Sequence, residues 1–220
     1  MEFDFIPIIL TFKLAAITTV ILFISGAPLS YWLAFTNSRL KLIIETIVSM
    51  PLVLPPTVLG FYFLVVFGQR SPVGKFLADI FGIKLIFTFS GLIIASVIYS
   101  LPFMIQSLQA GFENFPASLI DASYTLGKSK FTTLIRVILP NMKPSILTGI
   151  VLSFAHTIGE FGVVMMMGGN IPGETKVASI ALFDEVSSFN YETANIYAFV
   201  LFALSFSIII ILKYINRKIR

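Results

Sequence analysis

Two ionisable side chains four residues apart, His156 and Glu160, stand inside a long apolar run from Pro144 to Met167. At helical spacing they share one face, with Thr157 and Gly159 between them. An ionised side chain at the middle of a bilayer costs roughly 2.5–3.5 kcal/mol on insertion scales, so such groups face protein or water. A neutral imidazole donating to the carboxylate, or an ion pair, would lessen that cost. Two roles remain open: a gate or lining of a pathway, and an interhelical pair that locks packing at a dimer seam. The negative charge of Glu160 argues against direct contact with an anion unless the carboxyl is protonated or paired. Hydrolytic chemistry finds little support, because the chain has one histidine and neither an HExxH nor a Gly-x-Ser-x-Gly pattern. No catalytic residue is expected. The absence of cysteine also excludes disulfides and thiolate metal sites, and no metal site is expected.

A second constellation is conformational. Pro51, Pro55, Pro56 and Gly60 crowd one apolar stretch, with Thr57 beside the break as a hydrogen-bond donor. Prolines free carbonyls that lipid cannot satisfy, so partners must come from neighbouring helices, hydroxyls or water. Broken helices at mid-membrane border pathways, and their half-helix N-termini favour anions. A purely structural kink is the alternative. Pro55, Pro56, Thr57, His156, Thr157 and Glu160 are therefore the candidates for a pathway or gate.

The elements that position these residues follow from composition. Of 220 residues, 57% are apolar and 12% charged, and the mean hydropathy is +0.95. Soluble domains carry about 25% charged residues, so lipid is the solvent that fits. A helix needs about 20 mostly apolar residues to cross a bilayer. Five stretches qualify: Leu14–Ser38 with room to extend back to Ile8, Thr46–Phe67, Leu85–Gly111, Pro144–Met167 and Thr193–Leu212. A sixth embedded segment arises if Ile171–Phe189 re-enters the membrane. The expected fold is all-α, a polytopic helical bundle forming one transmembrane domain over residues 1–220. Met1-Glu2-Phe3-Asp4 is acidic where a signal peptide would be basic, so no cleavable leader is expected.

Lys and Arg fix an orientation. Arg39, Lys41, Lys128, Lys130, Arg136, Lys143, Lys213, Arg217, Lys218 and Arg220 fall on one side. Arg70, Lys75, Lys84 and Lys176 fall on the other, together with most of the acidic residues. Positive residues favour the cytoplasm, which puts the C-terminus inside and the N-terminus outside. The formal charge of +4 is thereby explained without nucleic acid.

The longest polar interval, Phe112–Lys143, reads as two short helices in the cytoplasm. Asn114 is expected to cap the first, with Pro116 in its first turn. Leu119, Ala122, Ser123 and Leu126 make its apolar face, and Gly127 supplies the left-handed residue that ends it. Ser129 caps the second, Phe131, Leu134, Ile135 and Ile138 form its face, and Pro140 after Leu139 stops it. Such a bent pair suits either a groove on another protein or the membrane surface. Gly127-Lys128-Ser129 mimics the end of a phosphate-binding loop, but Ala122 stands where that motif needs glycine and no strand precedes it. ATP binding by this chain is not expected.

These residues also carry a family resemblance. Asp121-Ala122-Ser123, then Gly127, then Val137-Ile138-Leu139-Pro140 resembles the EAA loop of bacterial ABC importer permeases, with Asp for Glu, Ser for the second Ala and Val for Ile. The stretches Ser49–Gly60, Tyr99–Met104 with Gln109–Phe112, Phe154–Gly162 and Gly168–Lys176 are similar to molybdate (ModB-like) permeases within those binding-protein-dependent importers. The resemblance implies the MetI-like, type I ABC importer permease fold. It implies a non-enzymatic subunit that moves molybdate through the bacterial cytoplasmic membrane, as a homodimer with its path on the two-fold axis. It further implies two copies of a separate ATPase that uses ATP and Mg, and an extracytoplasmic oxyanion-binding protein. Asp121, Ala122, Ser123, Gly127, Leu139 and Pro140 would dock the ATPase. Tungstate and sulfate/thiosulfate permeases are related alternatives. From another class, an autonomous proton-coupled carrier would use His156 and Glu160 as a relay.

Overall fold

A computed structural model describes residues 3–219. The described residues are helical and loop only. Among the described residues three helices are long and apolar enough to cross a membrane: α1 (Ile6–Phe35), α5 (Phe89–Glu113) and α12 (Tyr191–Ile219). Two bent pairs bring the number to five if each counts as one span. The first is α2 (Leu40–Val53) with α3 (Pro56–Phe67), turned by 114°. The second joins the segment Lys130–Asn141 to α9 (Lys143–Gly159), turned by 73°. Short helices complete the chain: α4 (Pro72–Phe81), α6 (Ala117–Thr125), α7 (Lys130–Thr133), α8 (Leu139–Asn141), α10 (Gly162–Gly168) and α11 (Ala178–Ser187).

The all-α expectation holds, and local chemistry sets the boundaries. Phe87 lies at φ +61° and Thr88 caps the helix behind it by accepting from the Gly91 amide at 3.2 Å. The third span therefore begins at Phe89 instead of Leu85. Thr46–Phe67 is not one helix, because Leu54 and Pro55 are extended and Pro56 restarts the chain in a new direction. Pro144–Met167 is likewise interrupted, with Glu160 extended at ψ 132° between α9 and α10. Ile171–Phe189 holds only the ten-residue α11, too short to cross.

α1, α5 and α9 pack side by side and bury Leu22, Met104, Ile105 and Leu108 completely or nearly so. Thr18, Ser30, Ser96, Ser100 and Ser153 lie within the same packing, also fully buried. Small polar residues let backbones approach where lipid supplies no hydrophobic drive between helices. The two half-helices α3 and α10 also pack closely, through glycine. A Cβ on Gly60 would stand 2.6 Å from Met166 Cβ, and one on Gly162 would stand 2.7 Å from Pro56 Cβ.

Contacts sort the helix ends. Lys41 Nζ lies 3.2 Å from Glu113 Oε1, joining the start of α2 to the end of α5. Asn216 donates to Thr148 at 3.1 Å, joining the end of α12 to the start of α9. At the opposite end the Tyr197 hydroxyl donates to the Asp4 carbonyl at 2.6 Å. Lys41 at the start of α2, Lys143 at the start of α9, and Lys213, Arg217 and Lys218 at the end of α12 thus collect at one end of the bundle. Arg220 lies outside the described residues.

Substituting Gly60→Val or Gly162→Val should lower thermal stability of the purified protein by the roughly 1–3 kcal/mol typical of overpacking. Gly159→Ala, whose added Cβ meets nothing within 4 Å, should leave the melting curve within error. Equal melting of all three would remove the close α3–α10 contact.

Candidate functional site

The site begins at the break after α9. Glu160 is 4% exposed, and its carboxylate does not meet His156. Ser96 on α5 donates to Glu160 Oε2 at 2.8 Å, and Ser179 on α11 donates to the Glu160 backbone carbonyl at 2.6 Å. Two helices therefore stitch the carboxylate and the carbonyl released where α9 ends. Oε1 has no partner among the described residues.

His156 lies one turn earlier, with Nδ1 2.9 Å from Ser100 Oγ. Ser100 Oγ is 3.1 Å from Thr157 Oγ1, which donates to the Ser153 carbonyl at 2.9 Å. One order of donors satisfies all three contacts: imidazole N–H to Ser100, Ser100 to Thr157, and Thr157 to Ser153. Tyr99 and Phe103 pack on the imidazole with ring centroids 4.8 and 4.2 Å away. The shared face predicted for His156 and Glu160 is thus a face toward α5. Each residue takes its own serine, and the direct His156–Glu160 pair is replaced by two parallel ties. The reason is geometric: Glu160 has left helical conformation, so the four-residue spacing no longer stacks the side chains.

Pro56 is brought next to this break through Gly162, so the two discontinuities adjoin. Pro55 and Thr57 are exposed, and no hydrogen bond to the Thr57 hydroxyl forms among the described residues.

A polar ladder on α2 and α5 went unread in the sequence. Gln109 donates to Glu45 at 2.6 Å and to Glu113 at 2.9 Å, and Gln106 donates to Ser49 at 3.1 Å. Glu45 and Ser49 also line an open groove of about 460 Å³ along α2, with Thr46, Met50, Val53 and Leu54. Spacing could have revealed it: Gln106, Gln109 and Glu113 recur on one helical face, as Ser96 and Ser100 do on another.

At the basic end, α6 closes on Gly127 at φ +70°. Lys128 N–H donates to the Ser123 carbonyl at 3.1 Å and Gly127 N–H to the Tyr124 carbonyl at 2.9 Å, the two bonds of a Schellman ending. Ser129 caps α7 by accepting from Thr132 N–H at 3.2 Å. The Ser123 and Thr133 hydroxyls, 2.8 Å apart and buried, clamp the two short helices together. Asp121 and Ala122 are exposed on the outside. Two expectations need correction. The Asn114 side chain donates to the Ala110 carbonyl at 2.7 Å and closes α5, so Pro116 stands at the start of α6. Pro140 does not stop the second helix. A π-turn over Leu134–Ile138 widens the backbone ahead of the ring, Asn141 donates to the Val137 carbonyl at 2.7 Å, and the chain bends only at Met142.

Fold and site together define a multi-span helical membrane protein whose basic end carries an exposed two-helix elbow. Residues 26–220 match the model of the binding-protein-dependent transport system inner membrane component. The chain belongs to that family. It is 47% identical over 195 residues to the molybdenum transport system permease protein ModB of Azotobacter vinelandii, covering 88% of this chain and 86% of that one. ModB of Escherichia coli is 36% identical over 65% of this chain and 62% of its own. The sulfate transport system permease protein CysT of Synechocystis is 32% identical over 80% and 62%. Among solved structures, the inward-facing MetNI methionine ABC transporter aligns with a TM-score of 0.75 at 18% identity, covering 97% of this chain and 94% of that one. An importer of alginate aligns with 0.79 at 15% identity, covering 97% and 78%. The type I importer permease fold is thereby shown.

A double-mutant cycle tests the serine ties. Ser96→Ala with Glu160→Ala should couple by about 0.6 to 1.7 kcal/mol, the range of intramembrane hydrogen bonds. Ser96→Ala with His156→Ala should be additive. Coupling between His156 and Glu160 that exceeds both would restore the direct pair.

Proposed function

We propose that the chain is the non-catalytic, membrane-spanning subunit of an ATP-driven molybdate importer in the bacterial cytoplasmic membrane. The stronger identity with ModB than with CysT favours molybdate over sulfate; molybdate and tungstate are both tetrahedral dianions. One domain over residues 1–220 performs this role. It works as a homodimer beneath an extracytoplasmic oxyanion-binding protein and above two copies of an ATPase that hold the ATP and Mg.

The observation that carries the coupling is the exposed elbow at the basic end. Leu126 and Phe131 are 75% and 73% exposed there, in a polar stretch flanked by Lys128, Lys130 and Arg136. Large apolar groups beyond the lipid call for a protein cover. Asp121, Ala122, Ser123 and Gly127 form the handle, and Leu139 and Pro140 lead from it to the 73° bend. The positive-inside bias supports a cytoplasmic elbow and C-terminus with an outer N-terminus.

Motion of the elbow would pass through Met142 into α9, which carries His156, Thr157 and the break at Glu160. The break contacts Pro56 at the start of α3, so both discontinuities would move with one lever. Pro55, Pro56 and Thr57 then act with the α9 break as the gate. The α2 groove is the candidate inner path. Its lining holds hydroxyls and no base, so nothing there would capture a dianion tightly, and its one carboxylate, Glu45, is engaged by Gln109.

Vesicles containing the chain and the ATPase, supplied with the oxyanion-binding protein and ATP, should take up radiolabelled molybdate, and those without ATP should not. Uptake by this chain alone under a proton gradient would overturn the reading in favour of a carrier. Asp121→Lys and Gly127→Pro should insert normally yet lose ATPase co-purification. Proline cannot adopt φ +70° or donate to Tyr124. Normal co-purification of both would defeat the handle.

A further inference from the structure

The twenty or so residues between α3 and α5 contain a helix, α4, that packs against the foot of α3. α4 is capped at both ends by its own sequence: Ser71 accepts from the Gly74 amide at 2.8 Å, and Gly82 ends the helix at φ +65°. Its inner side, Gly74, Leu77 and Ala78, rests on the segment Ile83–Ile86. Its outer side carries Val73, Phe76 and Ile80 at i, i+3 and i+7, with Phe76 and Ile80 54% and 62% exposed. Lys75 and Asp79 occupy a different side.

We propose that α4 is an interfacial anchor, lying in the headgroup layer with Val73, Phe76 and Ile80 in the acyl boundary. Chain length places it there. Phe67 ends one embedded helix and Phe89 begins another, so the connection cannot leave the membrane surface by far. Gly74 is turned hard against the backbone of Gly68, which keeps α4 at the foot of α3. Tyr62, Val65 and Val66 on α3 are exposed as well. Arg70, Lys75 and Lys84 outnumber Asp79 around it, the charge balance that lipid phosphates complement. The consequence is mechanical: the foot of α3 is held at the surface.

The chain has one tryptophan, Trp32, so Trp32→Phe gives a silent background. In it, Phe76→Trp, Ile80→Trp and Lys75→Trp are each reconstituted in vesicles of phosphatidylcholine and phosphatidylglycerol brominated near the top of the acyl chain. Positions 76 and 80 should emit blue-shifted light and lose most of it to the brominated lipid. Position 75 should emit further to the red and be quenched by aqueous iodide instead. Quenching of positions 76 and 80 by iodide alone would overturn the proposal, as would protection from both quenchers, which marks a protein cover. Ile80→Trp decides the matter if Phe76→Trp does not fold.

Discussion

Hydrocarbon offers no hydrogen bonds, so every backbone group released by a broken helix must be met from within the protein. This chain breaks two of its spans, at Leu54–Pro55 and at Glu160–Phe161. The second break is met by Ser179 on its carbonyl and Ser96 on its carboxylate. Gly60 and Gly162 then let the two restarted half-helices lie against each other with no room for a side chain at either glycine. The breaks are one structure, held by neighbours that have to be present before either can exist.

That arrangement concentrates flexibility where it can act. α9 is a stiff rod between two bends, the 73° turn at Met142 and the opening at Glu160. Its middle is fastened to α5 by the hydroxyl chain through Ser100 and Thr157, with His156 held between two aromatic rings. On the proposed function, a push on the elbow at Gly127 would reach the paired breaks through this rod. The imidazole and the carboxylate inside these spans each find a hydroxyl partner on α5.

The elements were legible in the sequence wherever local chemistry decides. Gly127 and Ser129 each declared a helix end because the cause lies within a few residues; the apolar runs declared embedded stretches but not the breaks inside Thr46–Phe67 and Pro144–Met167. Pro140 misled because a proline forbids the helix only if the turn before it stays α-helical, and the π-turn at Leu134–Ile138 removes that condition. Asn114 misled because an amide side chain serves either helix end, and tertiary packing chose the carbonyl of Ala110. His156 and Glu160 were conspicuous, while their partners were not: serines in an apolar run look like filler until the facing helix is known. The α2–α5 ladder stayed hidden for the same reason, since Gln106 and Glu45 acquire meaning only across an interface.

Because the chain contains no cysteine, a single Leu126→Cys substitution gives a clean probe of where the handle stands. A membrane-impermeant maleimide should label it in inside-out vesicles, be excluded once the ATPase is bound, and fail to reach it in intact cells. Labelling from outside intact cells would put the elbow beyond the reach of any cytoplasmic motor and contradict the account.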